Sequence, residues 1–167
     1  MRLELNDRDS QNVIGAILGE MLFHMSKIKE YMNGVTPDEY AKNQMMRDAL
    51  SMRLQAIGEL AKSLTKKGID SNDDLKQKFP YFEWDDLKGM RDIIAHNYSR
   101  VDISFPWQAF EATLPELENI IRELCREYPA IKEATDFSLR LLESQSRTNI
   151  EDYMEFHGVS FGMEGPK

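Results

Sequence analysis

Between Gly89 and Tyr98 the chain gathers an arginine, a carboxylate, a histidine and a tyrosine: Gly89-Met90-Arg91-Asp92-Ile93-Ile94-Ala95-His96-Asn97-Tyr98. These residue types suit chemistry at a phosphodiester. Arginine is permanently cationic and bidentate, so it can meet charge developing on a phosphoryl group. Histidine titrates near neutral pH, so it can move a proton to or from a sugar oxygen. On a helix of 100° per residue, Leu87, Met90, Ile93 and Ile94 gather on one side and are expected to face the core. Arg91, Ala95, Asp92 and His96 follow across the other side, so Arg91 and His96 flank a polar sector about 140° wide. Asp92 precedes His96 by four residues, the spacing at which helix side chains touch, and is expected to orient the imidazole. Arg91, His96 and Asp92 are the catalytic candidates.

Metal-free cleavage of a phosphodiester beside a free hydroxyl needs a base for that hydroxyl, an acid for the leaving oxygen and a cation for the phosphorane charge. One copy of the stretch supplies one histidine. A two-fold homodimer that faces stretch to stretch would supply the second, with the apolar residues around Met45, Met46 and Met52 as a candidate interface. Arg53, Glu59, Lys88 and Asn97 are further candidates to line the cleft; Arg53 takes a seam position where an apolar residue is due. Lys88, Arg91 and Arg100 are the cations nearest the stretch. A plainer reading stands beside this one, because arginine and histidine near a helix end are also favourable against the helix dipole. Tyr98 lies seven residues from Arg91 and shares its face; on residue type alone it is an amphipathic tyrosine with a buried ring and a wet hydroxyl.

The elements that must position these groups are all helical. Asn6 or Asp9 can cap a first helix that ends at Asn33-Gly34, with Ile14, Leu18, Met21, Met25, Ile28 and Met32 as its bundle seam. His24 lies beside that seam as a packing residue, and no second ligand stands at helical spacing to build a metal site with it. Thr36-Pro37-Asp38-Glu39 starts a helix with a capping box. That helix runs towards Gly68 with a bend near Asn43, its seam being Met46, Leu50, Ile57, Leu60 and Leu64. A short helix is expected over Asn72 to Phe79, the central one over Trp84 to Asn97, and the next from a cap at Asp102 or Ser104, kinked at Pro115. Ala130 to about Arg147 reads as one more, weaker helix. The pattern is an all-α antiparallel bundle of about four to five main helices with an extra C-terminal helix or tail, divided as residues 1–129 and 130–167.

At 167 residues the chain suits one core. It has no apolar run of the roughly 20 residues needed to span a membrane, and no apolar signal segment near Met1. A single cysteine, Cys125, fits a reducing cytoplasm and a packing role. The net charge of −8 argues against broad nucleic-acid binding; if RNA is the substrate, attraction to it must be local.

Arg91-x-x-x-x-His96-x-Tyr98 on the next-to-last long helix resembles the R-x4-H-x-Y motif of HepT-like toxins, ribonucleases of the HEPN superfamily. Ala49 to Lys62, with Ile57-Gly58-Glu59 at its centre, resembles the family's preceding helix. Phe82 to Met90 resembles its lead-in, and Val101-Asp102 with Leu114-Pro115-Glu116-Leu117 its exit. The resemblance covers roughly residues 10 to 128. It implies a HEPN-like bundle and the toxin of a type II/VII-like toxin–antitoxin system, a metal-independent ribonuclease with no cofactor. It implies a homodimer with Arg91 and His96 in a shared cleft, and a minimal nucleotidyltransferase antitoxin of the MntA type that transfers AMP to Tyr98. Some HEPN domains do not cleave, so the alternative is a non-catalytic module that docks the nucleotidyltransferase. A plain helical structural protein is the third reading.

Overall fold

In the computed structural model, residues 3–64, 74–97 and 102–157 are described, the side chains of 97 and 146–157 excepted. They form eight α-helices and no strand: α1 (Arg8–Met32), α2 (Pro37–Lys42), α3 (Gln44–Leu64), α4 (Asp74–Lys78), α5 (Trp84–Asn97), α6 (Ser104–Gln108), α7 (Leu114–Glu127) and α8 (Pro129–His157). A π-helical turn, Ala109–Thr113, joins α6 to α7. Pro115 follows it, and a proline there has no N–H to return to the preceding turn, which favours the wider turn over a regular one. The fold is the expected all-α bundle with an extra C-terminal helix.

Capping explains where several helices begin. Asp7, rather than the expected Asn6 or Asp9, caps α1: its carboxylate accepts from the Ser10 backbone N–H at 2.8 Å and from the Ser10 hydroxyl at 2.7 Å. Those bonds hold the Asp7 carboxyl below the usual range. α1 ends at Met32, and Gly34 follows at φ +71°, a conformation other residues rarely adopt. At α2, Thr36 and Glu39 bond reciprocally, and Pro37 occupies the first turn. The expected bend falls at Asn43, whose backbone is extended; its side-chain oxygen accepts from the Met46 N–H at 3.1 Å and so starts α3. At α6 the cap is Ile103, which makes no side-chain bond, and not the expected Asp102 or Ser104; the Asp102 carboxylate accepts from the Ser104 N–H at 3.0 Å in the turn just before.

Apolar seams then meet in one core. All six seam residues of α1 are buried, and Leu50, Leu54, Ile57, Ala61 and Leu64 of α3 are buried against them. Leu114, Leu117, Ile120, Ile121 and Leu124 close the core from α7. Cys125 is half-buried, and burial pushes its thiol above the ordinary value.

Beyond Tyr128, α8 continues to His157 and lays its first half along α1. The two backbones come very close because Gly15 and Gly19 face α8. A Cβ on Gly15 would lie 2.5 Å from the Ile131 carbonyl oxygen, and one on Gly19 would lie 2.5 Å from that of Thr135. Ile131 is fully buried, and the Ser138 hydroxyl donates to the Ala16 carbonyl at 3.0 Å. The first half of α8, through Ser138, thus packs on the bundle.

This contact separates two glycine substitutions. Gly19→Ala must push α8 away from α1, at a cost of about 1–3 kcal/mol, which exceeds the helix-propensity gain of about 1 kcal/mol. Gly89→Ala, whose Cβ would meet nothing nearer than 4.0 Å, keeps the propensity gain alone. Denaturant unfolding should show the first chain less stable than the parent and the second equal or more stable.

Candidate functional site

The site is built where α5 crosses α3, and three consecutive residues of α3 build it. Ile57 is fully buried and anchors the helix in the core. Gly58 lets the backbones meet: a Cβ there would lie 3.0 Å from the Arg91 backbone nitrogen and 3.2 Å from the Leu87 carbonyl oxygen. Glu59 turns outward, and its carboxylate holds the Arg91 Nε at 3.1 Å. Leu87, Met90 and Ile94 bury the opposite side of α5.

Arg91 sits in a closed ring of alternating charge. Its Nη1 lies 3.0 Å from Asp92 Oδ1. Lys62 Nζ lies 3.0 Å from Asp92 Oδ2 and 3.5 Å from Glu59 Oε1. Hydrogen bonds from Lys62 and then Arg91 hold the Asp92 carboxyl below the usual range. The four side chains sum to zero charge, so the ring aims the guanidinium without creating a strong positive field. These groups are about half exposed, Lys62 excepted, so each pair contributes at most about 1 kcal/mol. Three buried apolar side chains contribute roughly 1.5–3 kcal/mol each. Burial holds α5 in place, and the ions set the direction of Arg91.

His96 lies in the last turn of α5 and is exposed, as is Ala95 between it and Arg91. The expected pairing of Asp92 with His96 is not made: both Asp92 oxygens are engaged by Arg91 and Lys62. Asp92 therefore orients the arginine. A second departure is Ile93, expected in the core but 38% exposed. The helix periodicity places it correctly away from Arg91, yet α3 covers only part of that side.

The remaining candidates separate. Glu59 joins Arg91. Arg53 turns to α1, where its guanidinium reaches His24 Nδ1 at 3.0 Å and donates to the Tyr31 hydroxyl at 3.1 Å. The Phe23 ring lies 5.8 Å from its guanidinium carbon. Burial, and then the Arg53 charge, lower the His24 pKa, as suits a packed histidine. Lys88 reaches back to Asp85 at 2.6 Å, one turn towards the start of α5. Asn97 closes α5, while Tyr98 and Arg100 lie outside the described residues. Sequence reasoning missed Lys62. Its signal was available, since Lys62 follows Glu59 by three residues, a spacing at which helix side chains pair.

The structure is thus that of an all-α bundle presenting an ion-anchored arginine and an exposed histidine on one helix. The comparisons narrow that description. The family described as Ribonuclease HepT-like matches residues 21–124, from the middle of α1 to the end of the α7 core. The chain therefore belongs to the HepT-like ribonuclease family. It is similar to "Putative RNase MJ0125" of Methanocaldococcus jannaschii, 30% identical over 115 residues, which are 66% of this chain and 93% of that one. It is also similar to "Putative RNase MJ1216" of the same organism, 29% identical over 66% of this chain and 89% of that one. "Putative RNase TTE0752" of Caldanaerobacter subterraneus is 28% identical over 65% of this chain and 87% of the relative. No solved structure matches the chain. No helix of the described residues is long and apolar enough to cross a membrane.

The division between burial and charge is measurable. Asp92→Asn should change unfolding free energy by less than about 1 kcal/mol, because it loses only exposed pairs. Leu87→Ala should cost about 2–5 kcal/mol. An Asp92→Asn loss as large as that of Leu87→Ala would make the ion ring, not the apolar face, the force that docks α5.

Proposed function

We propose that this chain is the toxin of a toxin–antitoxin pair, a ribonuclease that cleaves RNA without a metal through Arg91 and His96. The observation that carries the reading is the exposure of both side chains on one helix of a chain in this family, with Arg91 anchored by Glu59 and Asp92. In the reaction, His96 exchanges a proton with the 2′-hydroxyl or the leaving oxygen, and Arg91 meets the negative charge growing on the phosphorane. Asp92 and Glu59 act through Arg91 and are positioning residues. The neutral charge sum of the ring and the net charge of −8 imply weak general attraction, so RNA must be held at few points.

The second proton-transfer group comes from a second copy in this reading. Met45 and Met52 are 79% and 72% exposed on α3. With Glu59 they follow one another at intervals of seven residues, which drift by only about 20° per interval. One stripe thus runs from two exposed methionines to the carboxylate that holds Arg91. A two-fold pairing along that stripe would bring two Arg91–His96 sites together.

The antitoxin in this reading is a minimal nucleotidyltransferase of the MntA type. It moves AMP from ATP to the Tyr98 hydroxyl with release of pyrophosphate. An anionic nucleotide seven residues from Arg91 would occupy that cation and obstruct the cleft. We place the pair in the cytoplasm, on the single cysteine. The reading that competes is a docking module that engages the nucleotidyltransferase without cleaving RNA.

Arg91→Ala and His96→Ala should each lower RNA cleavage by about 10²–10⁴-fold in a chelator-treated assay. Glu59→Gln should lower turnover less and tighten RNA binding, because the ring gains a net positive charge. Full cleavage by His96→Ala sinks the mechanism, and a monomer in sedimentation at micromolar concentration sinks the shared cleft. For silencing, mass spectrometry after incubation with the nucleotidyltransferase and ATP should find AMP on the Tyr98 peptide, with nuclease activity falling in step. Tyr98→Phe should cleave and escape silencing; a Tyr98→Phe chain that is still silenced means that docking alone inhibits.

A further inference from the structure

The ring around Arg91 sets two cations against two carboxylates, and the cations differ in reach. The Arg91 side chain is 49% exposed and the Lys62 side chain 22%. An incoming phosphate therefore meets Arg91, while Lys62 stays shielded. Lys62 nevertheless touches both carboxylates that hold the arginine: Asp92 Oδ2 at 3.0 Å and Glu59 Oε1 at 3.5 Å. Arg91 takes the other Asp92 oxygen, Oδ1, and shares Glu59 Oε1. The hydrogen bond from Lys62 is the chief cause that keeps the Asp92 carboxyl below its usual range, ahead of the one from Arg91. Asp92 thus keeps its principal partner when Arg91 turns away from it.

This arrangement answers a difficulty of charge. Arg91 together with its two carboxylates sums to −1, which repels the phosphodiester that the guanidinium must bind. Lys62 returns the sum to zero, and it can keep both carboxylates when Arg91 exchanges them for phosphate oxygens. Arginine suits that exchange, because its planar fork binds carboxylate and phosphate alike, whereas the ammonium of lysine is a compact point charge. We propose that Lys62 is a positioning residue that releases Arg91 to the RNA: it holds Asp92 and Glu59 while the guanidinium trades these carboxylates for a phosphodiester. Lys62 itself touches no substrate. The role rests on the nuclease reading for its substrate, but the hold on Asp92 can be measured with no RNA present, and RNA binding with no cleavage.

Two measurements test it in the full chain. Carbon NMR follows the Asp92 carboxyl through its titration. In Arg91→Ala it should still titrate below the ordinary aspartate range, because Lys62 remains. In Lys62→Met, which keeps the apolar stem, it should move up towards that range. A carboxyl that returns to the ordinary range in Arg91→Ala overturns the proposal, as does one that Lys62→Met leaves unmoved. Fluorescence anisotropy then follows binding of a 2′-O-methyl RNA oligonucleotide, which offers no 2′-hydroxyl for cleavage. Lys62→Met should weaken binding about fivefold, as expected for one exposed ion pair, and Lys62→Arg should restore it. Adding Glu59→Gln to Lys62→Met should restore it too, because Arg91 then faces a single carboxylate. In the Arg91→Ala chain, Lys62→Met should change affinity by less than about twofold, since a shielded lysine reaches RNA only through screened charge. An equal loss with and without Arg91 makes Lys62 an RNA contact in its own right and overturns the proposal. A loss that Glu59→Gln does not repair points to packing and does the same. If titrations and affinities come out as expected, yet the parent chain leaves unmodified RNA uncut, the role of Lys62 stands and the nuclease reading falls.

Discussion

The contact on which this protein depends is the close crossing of α3 and α5 at Gly58. Without a side chain there, the two backbones approach until a methyl group would touch the Arg91 nitrogen at 3.0 Å. At that separation Glu59 reaches Arg91 directly and Lys62 reaches Asp92. The crossing also turns Ile94 inward while leaving Ile93 at the edge of a cavity. A packing decision inside the core therefore sets both the direction of a surface cation and the width of a neighbouring recess.

The forces at this crossing divide by magnitude. Burying Leu87, Met90 and Ile94 fixes α5 far more strongly than exposed ion pairs can. Because the ions carry little of the stability, their identities are open to functional demand. Arg91 can face solvent, and the carboxylates around it can lower the local field, at small cost to the fold.

Much of the bundle was legible in the sequence because helix seams are a one-dimensional signal. The α1 seam from Ile14 to Met32 and the boundaries of α5 needed only periodicity, capping and proline. Other features depend on where one helix meets another, which periodicity cannot state. The place of Arg53 was unreadable because its partners, His24 and Tyr31, lie on α1 at a register set by tertiary packing. Asp92 shows the same limit: its spacing to His96 was right for a contact, but Lys62 on the neighbouring helix competed for the carboxylate. The cavity beside Ile93 joins four separate stretches of chain, and no spacing within any one of them announces it.

The docking of α8 on α1 has a consequence for synthesis. The bond between Ser138 and Ala16 joins residues 122 positions apart. While the chain is being made, the glycine face of α1 has no partner until that distant helix has left the ribosome. Long-range contacts of this kind close late, after the local helices have formed. The first helix must therefore wait, with its groove open, until residues 131–138 have been made. A chain cut short before Ile131 therefore leaves one side of the bundle uncovered.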